Sequence, residues 1–127
     1  MDAQAPRTAA QRVGDAAEAA ALALLMAQGL RPLARNVRYK VGELDLVMLD
    51  GEVLVFVEVR RRGNAAFGGA LASIDRGKAR RCALAASAFL QRHPRHAGRD
   101  CRFDVVGFDG GGRADWRRAA FTLDDLG

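Results

Sequence analysis

Residues 55–62 read VFVEVRRR, an apolar run that ends in a carboxylate and an arginine two positions apart. Side chains alternate along a β-strand, so Glu58 and Arg60 share a face at the strand's end. A second acidic pair, Glu43 and Asp45, lies upstream in GELDL with the same spacing. Carboxylates brought together on one sheet face repel each other unless a cation compensates. Mg²⁺ is held by one or two carboxylates, waters and a substrate phosphate. Such an ion polarises a phosphoryl oxygen and lowers the pKa of a bound water. An arginine nearby adds charge stabilisation on the phosphate. The chemistry suggested is therefore phosphodiester hydrolysis. The alternative is plainer: Glu43, Glu58 and Arg60 as the wetted, mutually paired face of a half-exposed sheet. Phe56 and Val47 on that face argue for cover, and a covered carboxylate needs a partner.

The elements that must position these residues are legible. Asp50-Gly51 is a two-residue hairpin signal, with Glu43 to Leu49 and Glu52 to Val59 as its strands. In that register Leu49 pairs with Glu52, Asp45 faces Phe56, and Glu43 faces Glu58. Glu43, Asp45, Phe56, Glu58 and Arg60 then share one face. Asp45 and Glu58 become diagonal neighbours at about 7–8 Å. The other face carries Leu44, Leu46, Met48, Val53, Val55, Val57 and Val59 as core. A helix is expected from a Thr8-x-x-Gln11 capping box to Gln28, closed by Gly29. Its apolar stripe is Val13, Ala17, Ala20, Ala21, Leu24 and Leu25, with Glu18 on the border. Leu33 to Arg38 is a short strand. A second helix runs from a Ser73 cap to Arg92, with Ile74, Lys78, Cys82, Ala85, Ala86 and Phe89 on its stripe. Strands at Arg102 to Phe108 and Trp116 to Leu123 follow, separated by the Gly110-Gly111-Gly112 turn. The strand–helix–strand unit ending at Phe108 should make a parallel, right-handed crossover.

The 127 residues suit one domain, with residues 1–9 as a flexible tail and 10–127 as the folded unit. Apolar content of 50% and charged content of 28% place the chain among globular proteins. Twenty Lys and Arg against 15 acids leave a net charge of +5, which suits a polyanionic partner. Basic clusters occur at Arg60-Arg61-Arg62, from Arg76 through Lys78 and Arg80 to Arg81, from Arg92 to Arg99, and at Arg117-Arg118. The first two flank the acids and would contact phosphates without reading bases. Phe67-Gly68-Gly69 is a candidate flap or a simple connector. Cys82 and Cys101 form no CxxC and read as reduced, buried packing residues. His93-x-x-His96 straddles Pro94 without a third ligand. Asp104 reads as an ion-pair partner of Arg102 or an acid held by backbone N–H groups, and Trp116 as core or edge packing. No signal segment or membrane span is visible, so a cytoplasmic location is expected.

The stretches GELDLVMLDGEVLVFVEVRRR, FGGALASIDRGKARR and CRFDVVGF together resemble the YraN-like bacterial family of predicted endonucleases. That family is similar to archaeal Holliday-junction resolvases within the restriction-endonuclease-like superfamily. The likeness spans Gly14 to Phe121. It implies an α/β, αβββαβ core with a mixed central sheet flanked by helices. It also implies a Mg²⁺- or Mn²⁺-dependent endonuclease acting on DNA, with branched or repair-related structures as substrates and a homodimer as the form that cuts two strands. By the same resemblance Asp45 and Glu58 are metal-binding catalytic acids, Val59 offers its carbonyl, and Glu18 is the first-helix glutamate. Arg60 stands where the superfamily has lysine. Arg61, Arg62, Arg76, Lys78, Arg80 and Arg81, in the basic clusters that flank the acids, are the expected nucleic-acid contacts, and Lys78 falls where relatives place Gln or Lys. Arginine does not release its proton in proteins, so Arg60 can orient or stabilise but is no general base. That departure keeps open a nucleic-acid-binding module without cleavage. A protein-interaction module is the third reading.

Overall fold

A computed structural model describes residues 8–61 and 76–122. Arg62, Ser73, Ile74, the Phe67-Gly68-Gly69 segment and the side chains of Gln11 and Val13 lie outside the described residues. The chain runs α1 (Ala9–Ala27), β1 (Arg31–Tyr39), β2 (Gly42–Asp50), β3 (Val53–Arg61), α2 (Arg76–Arg92), a 3-10 turn (Pro94–His96), β4 (Cys101–Phe108) and β5 (Ala114–Phe121). This is the expected αβββαβ order followed by the expected last strand, which begins at Ala114. The five strands form one mixed sheet in the order β1-β2-β3-β4-β5. Only β3 and β4 are parallel, because the α2 crossover returns the chain to the same end of the sheet.

Each helix covers one face. Ala21 and Leu25 of α1 pack on Leu46, Met48, Val55, Val57 and Val106. On the other face, Cys82, Ala85, Ala86 and Phe89 of α2 pack on Val47, Leu49, Leu54 and Phe56. Sandwiched between helices, β3 is apolar on both faces, as parallel-type strands are. Ala20, expected on the α1 stripe, is exposed instead. Helix α1 ends on Gly29 at φ 95°. Gly29 N–H donates to Met26 O (3.0 Å) and Leu30 N–H to Leu25 O (3.0 Å). That is a Schellman closure, with Leu30 tucked into the α1 core.

The hairpin departs from the expected register. Asp50 pairs with Val53 and Leu49 with Leu54, so the two loop residues are Gly51 and Glu52. Gly51 takes the positive φ (59°) at the first loop position, where a Gly-X turn needs it. Asp50 stays in the ladder, and its carboxylate binds Arg102 Nη1 at 2.8 Å. The displacement is two residues, so the assignment of β3 residues to faces survives. The assignment of Leu44 does not. Leu44 packs with Phe56 and Phe89 on the α2 side, while Leu46 packs on the α1 side. Alternation breaks at Asp45, opposite the one β1 residue with positive φ, Asn36 (51°). The β2–β3 ladder also stops at Leu46 and Val57. The sheet therefore opens where the acids lie.

Gly42, the first residue of the GELDL motif, lies directly against the α2 backbone. A Cβ there would fall on the Arg81 carbonyl. Backbone cannot move aside as a flexible side chain would, so Gly42→Ala should push α2 off the sheet and cost about 1–3 kcal/mol. A thermal melt measures this. Unchanged stability would mean that the helix and strand can slide apart freely.

Candidate active site at the opened sheet end

The opening between β2 and β3 leaves backbone groups without ladder partners, and Asp45 takes one of them. Its Oδ2 accepts the Val59 N–H at 2.8 Å. The carboxylate is thereby held against β3, next to Glu58. Glu58 is 4% exposed on the central strand, where no water can solvate it fully. Its Oε1 lies 3.2 Å from Lys78 Nζ and 3.5 Å from Arg60 Nη1. The Cys82 thiol donates to Oε2 at 3.7 Å. Burial, then the Asp45 charge, push the Glu58 pKa up to about 7, against the pull of Lys78; a hydrogen bond shared with the Asp45 carboxyl acts in the same upward sense. Asp45 and Glu58 thus act directly on each other.

Lys78 does not face outward as its helix neighbours Arg76, Arg80 and Arg81 do. It sits one turn before Cys82 on the buried stripe of α2, with its side chain 14% exposed. Its Nζ lies between Glu58 and the half-exposed Glu43, 3.6 Å from the latter. Burial works most strongly against its ammonium, but the charge and hydrogen bond of Glu58, with Cys82 and Asp45, together raise the net pKa. Arg76, Arg80 and Arg81 are exposed on the same helix, and Arg61 is exposed at the end of β3. Glu18 reaches the site from α1. Burial, then Asp45, raise its pKa, while Arg35 and Arg38 pull it down. Its Oε1 is buried without a hydrogen-bond partner among the described residues. Phe56 pairs with Val47, not Asp45, and the β2–β3 ladder ends at Leu46 and Val57, so Glu43 has no ladder partner in Glu58; on its other side it pairs with Arg38 of β1.

Among the described residues no three His, Cys, Asp or Glu side chains converge closely enough to hold a metal. The acids come as a close pair, Asp45 with Glu58, and Glu18 lies beside Asp45. A pair of carboxylates is nevertheless what Mg²⁺ uses when phosphate and water complete its shell, and the orphaned Glu18 oxygen is a further donor.

Asp104 is buried on β4 and accepts from Arg102 Nε (3.0 and 3.2 Å), Trp116 Nε1 (3.0 Å) and Ala119 N–H (2.9 Å). Both expected roles for Asp104, ion pair and backbone-held acid, are present at once. Trp116 packs at the sheet edge, with Arg118 stacked 4.0 Å over its ring. His93 Nδ1 bonds the Phe89 carbonyl (2.9 Å) and buried His96 accepts from Arg99 (3.0 Å). Cys82 is buried as expected, its thiol pushed up to about 12 by burial and Glu58. Cys101 is exposed, contrary to expectation, because it opens β4 at the rim. Sequence reasoning missed the contributions of Arg35 and Arg38. Only the β1–β2 register brings them near the acids.

A mixed sheet between two helices, with acids gathered where its central strands part, defines an α/β domain of the restriction-endonuclease-like architecture. The profile described as "Uncharacterised protein family UPF0102" matches residues 17–108. A UPF0102 protein of Pseudomonas entomophila is 58% identical over 112 residues, covering 85% of this chain and 91% of the relative. One from Bordetella avium is 59% identical over 108 residues, covering 85% and 73%. One from Halorhodospira halophila is 51% identical over 121 residues, covering 95% and 96%. The chain belongs to the UPF0102, or YraN-like, family. No helix among the described residues is long and apolar enough to cross a membrane.

Proposed function

We propose that the protein is a metal-dependent endonuclease that hydrolyses DNA phosphodiester bonds, with branched or repair-related DNA as its substrate class. The observation that carries this reading is the buried Glu58 carboxyl, held against Asp45 and flanked by Lys78 and Arg60. A carboxyl strongly perturbed by burial and a like charge, at an opened sheet end, marks chemistry more often than structure. Asp45, Glu58 and the Val59 carbonyl would hold Mg²⁺ or Mn²⁺, with Glu18 closing the side. The ion, when bound, supplies a Lewis acid for the phosphoryl oxygen and a lowered pKa for an attacking water. The chain's own residues supply position and charge. The Glu58 carboxylate accepts a hydrogen bond from the water and orients it. Lys78 and Arg60 set two cations beside the site to offset the charge that builds on the phosphate. Arg61, Arg76, Arg80 and Arg81 hold the flanking backbone.

Arg60 in the lysine position favours a second reading, a nucleic-acid-binding module that keeps the fold without cleavage. Supercoiled plasmid, single-stranded DNA, a flap and a four-way junction, each with Mg²⁺, Mn²⁺ or EDTA, separate the two. Cutting that requires the metal is the expected result. Salt-sensitive binding of every substrate with no cutting in any buffer would leave the binding module. No binding at all would overturn both.

A further inference from the structure

The acid cluster has a basic rim on the edge strand β1. Arg35 and Arg38 belong to the edge strand β1, and the register places Arg35 across from Leu46 and Arg38 across from Glu43. The two arginines therefore bracket the Asn36–Asp45 position where both strands break their regularity. Both are exposed, and both act electrostatically on Glu18. Most other arginines near acids or rings are engaged: Arg60 with Glu58, Arg99 with Glu52, Arg102 with Asp50 and Asp104, Arg92 over Tyr39 and Arg118 over Trp116. Among the described residues neither Arg35 nor Arg38 forms an ion pair or a side-chain hydrogen bond. Arg76, Arg80 and Arg81 are exposed on α2, the helix that covers the sheet face opposite to that of Leu46, the residue across from Arg35.

We infer that Arg35 and Arg38 form a second phosphate-binding arm, so that a polynucleotide backbone crosses Asp45 and Glu58 between β1 and α2. Neighbouring strands are about 4.8 Å apart. Arg35 therefore lies one strand from Asp45 and two from Glu58, close enough to engage a phosphate next to the one over the acids. A strand held on one side alone could pivot away; gripped on both, its central phosphate is fixed above the carboxylates. This inference rests on the nucleic-acid reading above and adds the path of the substrate. The plainer role for these arginines is to blunt an exposed sheet edge with charge, which would make them equivalent to Arg31 at the far end of the same strand.

The test is fluorescence anisotropy of a labelled 30-nucleotide DNA, single-stranded and duplex, titrated over a range of KCl in EDTA. Each phosphate contact contributes about 0.7–0.9 to the slope of log K against log salt. Arg35→Ala/Arg38→Ala is expected to flatten the slope by about 0.7–1.8 and to weaken binding at moderate salt. Arg35→Lys/Arg38→Lys should keep the slope, and Arg31→Ala should leave it unchanged. A flattening below about 0.7, an equal effect of Arg31→Ala, or a loss that lysine does not restore overturns the second arm. A wild-type protein that fails to bind at low salt overturns the nucleic-acid reading itself, which the variants alone would leave standing.

Discussion

Replacing Glu58 with glutamine is expected to stop cleavage and, at the same time, to make the domain more stable above pH 7. The activity loss follows from removing a negative oxygen from the centre of the site, and should be at least about a hundredfold. The stability gain follows from burial. The Glu58 pKa rises from 4.5 to about 7 on folding, so between those values the folded state binds more protons than the unfolded one. Stability then falls as pH rises. The penalty of an ionised Glu58 is absent below about pH 4.5 and complete above about pH 7. At about 1.4 kcal/mol per pH unit, glutamine should recover about 1–3 kcal/mol at pH 8 and almost nothing at pH 5. Glutamine keeps an oxygen for Lys78, and Glu43 remains on the other side of that ammonium, so the site should not collapse. Thermal melts in EDTA from pH 5 to 8 check this. The wild-type melting temperature should decline across the range while the variant stays flat. Parallel curves would mean that Lys78 and Arg60 already neutralise the carboxylate, leaving no stored cost for a metal to relieve.

Asp104→Ala should have the largest effect on folding, far from the chemistry. The side chain is 0% exposed and joins three groups of the β4–β5 half: Arg102, the Trp116 indole and the Ala119 backbone. Ala119 has φ 50°, a conformation that costs an L-residue about 1–2 kcal/mol and that its hydrogen bond to Asp104 helps to hold. Truncation strands the indole N–H, the amide N–H and part of a guanidinium whose Nη2 already has no partner among the described residues. Breaking a buried pair of this kind costs about 3–5 kcal/mol, a fall of roughly 10–20 °C for a domain of this size. Ala119→Gly should be neutral or slightly stabilising, since glycine adopts that φ freely. A fall of only a degree or two for Asp104→Ala, by calorimetry, would show that Arg102 is held well enough by Asp50 alone.

The functional consequence is a division of labour between the two buried acids. Asp104 has its charge fully answered by protein groups and behaves as a rivet. Glu58 is answered only in part and beside another carboxylate, which is poor for stability and is what the proposed chemistry would use. A sheet that stayed laddered through Asp45 would bury that acid against β3 or turn it to solvent. The irregularity at Asn36 and Asp45 is what keeps it in the opening.

Much of this was written in the chain's periodicities. Strict alternation and apolar runs located β2, β3 and β4, and Gly29 marked the end of α1, because backbone conformation and burial period are local properties. Asp45, Glu58 and Arg60 emerged together for the same reason: period two puts residues 58 and 60 on one face, and a hairpin brings the opposing strand within reach. Even the two-residue error in the turn left that face intact, since a slip of two does not turn a strand over. What the sequence could not decide lies where alternation fails or where segments far apart meet. Leu44 crossed to the α2 side because the strand kinks at Asp45. Lys78, one basic residue among several on α2, became the partner of Glu58 because helix packing on Gly42 fixed which turn faces the sheet. Arg35 and Arg38 gained their place beside Glu18 from the β1–β2 register alone. Local patterning thus determined which residue types could do chemistry and on which elements they ride. The tertiary structure decided which charges are buried and which cation answers which acid, because burial and Coulomb energy depend on neighbours that sequence distance does not order.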